Sequence, residues 1–436
     1  MKRMSLFIAL GVMTLMSCGD KVRIVEVPAP VVPAPAVPED TSYLKRAYIV
    51  NALSSNMTVI DLVNPATATI LATLSTASTP HMAAVSQDGK KVYASGTLGN
   101  AISIFDAKTL THIKDLPVAP EPTHMSASPD NKYMAVCNEG TNEVTFIDVA
   151  TDQIAGVVGG LLTPHWVAFR PDSQRAYIAN INGQRITIVN MATLMVTGHI
   201  FLTGKTDADV PSAEGGFAEC FMDSAGILYA AHGDSGKVML VNTTTNTWVK
   251  EIAVGTDPWV AYVSPWGGTK VLVANQGSMD TTIIDTTTQS VVATVGTNGY
   301  DVYDEYTGQV VRVTTPESEV YGINFACFGQ KAYAGMRTNG AIQRIDLLTN
   351  NATAVFSLTE GLPAPGFTQP AATTPDQRYI VFTVTSTSDW GDPGASGPVN
   401  RIVIWDSWAD QAVRTFDNVG IFPWSATIPD GQDYCH

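Results

Sequence analysis

Eight times along this chain a β-branched or apolar run closes on Asp or Asn. These are Val59-Ile60-Asp61, Ile104-Phe105-Asp106, Phe146-Ile147-Asp148, Ile188-Val189-Asn190, Leu240-Val241-Asn242, Ile283-Ile284-Asp285, Arg344-Ile345-Asp346 and Ile404-Trp405-Asp406. The successive spacings are 45, 42, 42, 52, 43, 61 and 60 residues. A floor near 42 with additions at only some steps marks one structural unit copied, with loops inserted between or within copies. In six copies a Thr follows three residues later: Thr109, Thr151, Thr193, Thr245, Thr288 and Thr349. An Asp or Asn side chain accepts a hydrogen bond from the backbone N–H two residues on, which closes a tight turn between antiparallel strands.

Upstream of each such turn lies a second strand-like run, as in Arg175-Ala176-Tyr177-Ile178-Ala179-Asn180. Before it comes a turn rich in Pro, Asp and Gly, such as Gln87-Asp88-Gly89, Pro129-Asp130-Asn131 or Pro171-Asp172-Ser173. An earlier apolar run (His165-Trp166-Val167-Ala168-Phe169) and a later one (Val291-Val292-Ala293-Thr294-Val295) complete four strands. Four short strands repeated at about 40–45 residues make the blade of a β-propeller, whose apolar faces are covered only by neighbouring blades. The expected fold is all-β: one propeller of eight four-stranded blades. Seven is the alternative, if the irregular copy at 320–358 or 368–418 is not a blade of its own. The first copy starts at Ala47-Tyr48-Ile49-Val50-Asn51, a second-strand motif, while Phe422–Gly431 reads as a first strand with its turn. The C-terminal strand is therefore expected to complete the N-terminal blade and remove the open sheet edge.

The wording Tyr177-Ile178-Ala179-Asn180…Ile186-Thr187-Ile188-Val189-Asn190 resembles the YVTN-type β-propeller repeat, and Tyr48–Asn51 and Val271–Asn275 are similar. The resemblance covers nearly all of residues 46–431. Relatives of this repeat include surface-layer-like proteins, lactonases, quinoprotein dehydrogenase subunits and haem d1 domains. No catalytic motif of these can be placed on this chain, so the resemblance implies the fold alone.

Residues 1–17 read as a lipoprotein signal peptide: Lys2-Arg3, then an apolar run over 6–16 too short for a membrane span. Cleavage after Ser17 would leave Cys18 to be lipidated. Gly19 rather than Asp follows it, which favours an outer membrane or cell-surface location. Residues 18–45 form a tether whose Pro-rich stretch at 28–38, at about 3.1 Å per residue, would hold the propeller of residues 46–436 off the lipid. Three acyl chains would make that attachment effectively permanent. The net charge of −15 argues against nucleic acid and anionic lipid surfaces as partners. Beyond Cys18, Cys137, Cys220, Cys327 and Cys435 allow disulfides in an oxidising compartment. Buried free thiols fit Cys137, Cys220 and Cys327 equally well, since these lie in expected inner strands.

Propeller ligands bind at the channel mouth, where first strands begin. His81, His124 and His165 fall there on consecutive blades, and a metal or haem site is conceivable. His124 is one residue out of phase with the other two, which in a regular strand points it to the opposite side. His232 occupies the Asn180 position of another copy and could join them. Trp259, Trp424 and Trp166 also stand at strand starts, where packing between blades is the plainer role and stacking on a polysaccharide or peptide the other. Insertions at 203–216 (Asp207, Asp209, Glu214) and 296–319 (Asp301, Asp304, Glu305, Glu317, Glu319) are acidic loops without a recognisable Ca²⁺ pattern. A long loop at 386–399 extends the last blade. No Cys-x-x-Cys-His, Gly-x-Ser-x-Gly, P-loop, His-Glu-x-x-His or dinucleotide fingerprint is present.

The sequence thus leads to a lipid-anchored, monomeric scaffold without a catalytic motif that binds an envelope protein or glycan. The alternative is an enzyme or cofactor carrier of lactonase-like or haem d1 type, with Ca²⁺ or a transition metal at the channel mouth.

Overall fold

Eight antiparallel sheets, seven of four strands and the last with a short fifth strand, Gln432–Asp433, follow one another along the computed structural model, which describes residues 41–265, 268–304, 309–362, 366–385, 400–430 and 432–433. In blade 2 the strands run Pro80–Val85, Lys91–Gly96, Ala101–Asp106 and His112–Pro117, from the axis outward. Blades 3, 4, 5 and 6 repeat this order from Pro122, Pro164, Phe217 and Pro258. The two irregular copies are blades in their own right, one opening with Val320–Ala326 and the other with Phe367–Thr373, so the count is eight and not seven. Blade 1 takes its inner strand, Pro423–Thr427, from the far end of the chain. It pairs with Arg46–Asn51, placing Ile49 opposite Ala426 and Val50 opposite Ser425.

Inner strands are buried on both faces because each blade is covered by two neighbours. Tyr133–Asn138 is buried throughout, whereas the outer strand Thr69–Ser75 is largely exposed. The third residue of the second strand is a buried Tyr in blades 1, 2, 4, 5 and 7: Tyr48, Tyr93, Tyr177, Tyr229 and Tyr333. Three of these hydroxyls donate to a backbone oxygen in the next blade: Tyr48 to Ala107 (3.4 Å), Tyr177 to Thr243 (2.9 Å) and Tyr333 to Ser407 (3.2 Å). Each acceptor directly follows the Asp or Asn of the repeat. One side chain therefore packs a blade and ties it to its neighbour.

The expected turns are present. The N–H two residues on donates to Asp61, Asp106, Asn190, Asn242, Asp285, Asp346 and Asp406 at 2.9–3.1 Å. Thr109, Thr245, Thr288 and Thr349 add their own N–H to the same oxygens, and Thr151 donates in the same way to Asp148. A second device sits at the other end of the hairpin. Asn51, Asn138, Asn180 and Asn275 each donate from Nδ2 to a Thr hydroxyl seven residues on, at 2.8–3.3 Å.

Two expectations need correction. The 296–319 insertion is not an acidic loop but carries a β-ribbon, Gly299–Asp304 against Gln309–Thr314, because Tyr300, Val302, Val311 and Val313 alternate with polar residues. Cys327 lies in a turn after the first strand of blade 7 rather than within it. Cys137, Cys220 and Cys327 are free thiols, the first two buried. The signal, Cys18, the tether as far as residue 40, the whole 386–399 loop, Glu305 and Cys435 lie outside the described residues. No helix among the described residues is long and apolar enough to cross a membrane.

Candidate functional site

All first strands begin at the same end of the ring, and the chain turns into them through a recurring kink. Thr79, Glu121, Thr163, Asp257 and Phe422, each just before the Pro that opens the strand, have φ of 50–62°. The ladder register confirms the phase difference among the histidines. Ala83, Met125 and Val167 face the equivalent second-strand residues Ala94, Val136 and Ile178. His81 and His165 stand two residues before these anchors, and His124 one. Nevertheless the three rings meet, with centroids 4.8 Å apart for His81–His124 and 4.0 Å for His124–His165. The reason is a register shift at each strand start: between Pro80 and Ala83, Pro122 and Met125, and Pro164 and Trp166. A bulge re-aims the side chains it contains, so the alternation rule that set His124 on the opposite side does not hold there.

Glu139 joins them from the turn that follows the second strand of blade 3. Its Oε1 lies 3.0 Å from His165 Nδ1 and accepts a hydrogen bond from Thr123 Oγ1 at 2.5 Å. His124 Nδ1 is 3.6 Å from the same oxygen, too far for a hydrogen bond. His124 is 1% exposed and His165 7%. Burial, and then the neighbouring His165, hold the His124 imidazole well below its ordinary pKa, so it is neutral. For His165 burial acts in the same direction, but the Glu139 carboxylate outweighs it and raises the pKa. Burial works against ionisation of Glu139 as well, yet the two imidazoles keep its carboxyl well below the usual range.

Aromatic rings close around the group. Trp424 lies 5.6 Å from His81, Trp259 5.9 Å from His165, and Trp166 6.2 Å from His124. Tyr321 from blade 7 comes within 6.3 Å of Trp424. Trp166 and Trp424 are buried, as packing residues should be, while Trp259 is partly exposed. Glu219 occupies in blade 5 the ladder position of His124 in blade 3 and is fully buried, which pushes its carboxyl well above the usual range. His232 stands apart from the cluster: it packs on Phe217 at 4.8 Å, and its Nδ1 accepts from Ser235 N–H at 3.3 Å. Burial lowers its pKa to about 4.

Beside Trp259 an open cleft of about 370 Å³ is lined by Ser212, Glu214, Asp234, Asp257 and Gln276. Asp234 accepts from the Ser212 N–H at 2.7 Å, which fixes the end of the 203–216 insertion. Asp257 has a raised pKa from burial and from Asp234. Of the other acidic residues of the insertions, Asp207 pairs with Arg185 (2.6 Å), Asp301 with Arg312 (3.1 Å) and Glu319 with Arg337 (3.8 Å).

Glu139 and Glu219 are the site residues that reading the sequence misses. Aligning the copies would have found Glu139, since the residue after the second-strand Asn always reaches this end of the ring, where other copies carry Ala52 or Ile181. Glu219 gave its own signal as a carboxylate inside the apolar run Phe217-Ala218-Glu219-Cys220-Phe221.

Comparison with known proteins supports the architecture. The fold is shared. A family model described as YNCE-like beta-propeller matches residues 77–210, about a third of the chain. Among solved structures, dihydro-heme d1 dehydrogenase NirN in complex with DHE superposes with a TM-score of 0.68 at 12% identity, covering 92% of this chain and 79% of that one. Kuenenia stuttgartiensis hydrazine synthase aligns over 71% of this chain and 96% of its own, with a TM-score of 0.49 and 16% identity. A search of the curated proteins found no match. At such identities the likeness is one of fold.

Proposed function

We propose that this chain is a lipid-anchored propeller of the cell envelope that binds an envelope glycan on its channel-mouth face. The observation that carries the reading is the cleft beside Trp259. Its partly exposed indole offers an apolar face to a sugar ring, and Glu214, Asp257 and Gln276 around it accept hydrogen bonds from hydroxyl groups. Loops held on a rigid scaffold suit recognition, and Asp234 holds this one. Cys18 supplies the anchor and residues 28–38 the spacer in this reading.

The test uses the full chain, with binding to envelope polysaccharide fractions measured for the wild type, Trp259→Ala and Asp257→Asn. The expected result is saturable binding by the wild type, weakened about tenfold or more by Trp259→Ala. Unchanged binding in both variants would remove the cleft from consideration. Capture of a protein in place of any glycan would change the class of partner. For the anchor, Cys18→Ser should abolish palmitate incorporation and release the chain from membranes.

The NirN superposition raises the alternative of a tetrapyrrole at the mouth. The residues present do not suit a planar macrocycle lying across it, because His124 and His165 are already buried against each other there, and Trp424 and Tyr321 likewise.

A further inference from the structure

Buried polar atoms in folded proteins are almost always hydrogen-bonded. Among those at the channel mouth, Nδ1 and Nε2 of His124 and Nε2 of His165 are buried without a hydrogen-bond partner. They belong to two rings whose centroids are 4.0 Å apart, beside the carboxylate of Glu139. His124, Glu139 and His165 can each present one ligand atom so that all three lie within 4.8 Å of one another.

We propose that His124, His165 and Glu139 bind one divalent late first-row cation, of the class of Zn²⁺, Co²⁺ or Ni²⁺, on the channel wall between blades 3 and 4. The donor set decides the class. Two imidazole nitrogens and one carboxylate oxygen suit these borderline cations, whereas Ca²⁺ and Mg²⁺ call for oxygen ligands throughout. Ligand atoms around Zn²⁺ stand about 3.4 Å apart at metal–nitrogen distances near 2.0–2.1 Å, so side-chain rotation closes the set. The site also supplies its own outer shell. Thr123 donates to Glu139, and Trp166 and Trp259 pack against the two rings; such partners orient ligands and exclude water. His81, its ring 4.8 Å from that of His124, is a further imidazole within reach.

A packing role predicts something different. In that case His165 and Glu139 form a hydrogen-bonded pair, His124 fills space, and added metal finds only weak surface sites. None of the three donors lines the glycan cleft, so zinc binding retained in Asp257→Asn would separate the two.

The full chain, without a histidine tag and stripped with chelator, is titrated with Zn²⁺ by calorimetry and with Co²⁺ by visible absorption. One Zn²⁺ per chain is expected, with Co²⁺ bands typical of nitrogen ligation and a higher melting temperature on loading. His124→Ala and His165→Ala should each weaken binding at least 100-fold, and Glu139→Gln about 10–100-fold. His112→Ala, on the outer strand of blade 2, should bind as the wild type does. Should a histidine variant fail to fold, the wild-type stoichiometry and Co²⁺ spectrum decide by themselves. Absence of stoichiometric binding, or affinity unchanged in both histidine variants, overturns the proposal.

Discussion

Glu251, on the outer strand of blade 5, accepts from Lys237 Nζ at 2.8 Å and from the Thr203 N–H at 2.7 Å. It thereby pins the start of the 203–216 insertion. Burial opposes its ionisation, but these bonds outweigh it and lower the pKa from 4.5 to about 2. A carboxyl whose folded pKa is depressed stabilises the fold above its unfolded pKa and loses that contribution as pH falls through the folded value. Glu251→Gln should therefore destabilise the protein by about 1–2 kcal/mol at neutral pH. The deficit should shrink between pH 4.5 and pH 2, as followed by urea denaturation. A deficit that is constant with pH would mean the loss is one of packing. At this scale the sequence is only partly legible. His81, His124 and His165 stand out by residue type and position, but Glu139 stays hidden, because a Glu in a turn ordinarily faces solvent.

The hairpin between second and third strands is held at one end by the Asn side chain and at the other by the repeat's Asp or Asn. Asn180 donates to the Ile178 and Arg185 oxygens and to Thr187 Oγ1, and accepts from the Leu162 N–H at 3.0 Å. It so joins three segments of blade 4, including the turn that leads into His165. Asn180→Ala should cost about 1–3 kcal/mol, because buried backbone groups lose their partners; the urea midpoint measures it. No change would mean that water replaces the amide. Strands and turns were readable in the sequence because they depend on local alternation and turn chemistry. The bulges that gather the histidines were not, since a bulge is visible only in the pairing of two strands. The Tyr300–Val313 ribbon shows the reverse failure: its alternation was present, but the length of the insertion and its acidic residues masked it.

The ring as a whole was the most legible level, because eight copies average out local irregularity and the two ends carry complementary fragments of one blade. Removing residues 420–436 should leave Tyr48, Ile49 and Val50 on an open edge and take Trp424 from the axis. The expected outcome is aggregation and loss of a single cooperative unfolding transition, read by light scattering and calorimetry. A truncated chain that is monomeric and melts at the wild-type temperature would refute closure as the source of stability. What the whole-molecule view could not supply is the site, since a shared propeller says nothing of which side chains line its axis. The pairing of Arg46–Asn51 with Pro423–Thr427 also imposes an order of events. A polypeptide delivered from its amino end must travel as an unsealed strip, its opening hairpin waiting until the last few dozen residues have arrived to fasten it.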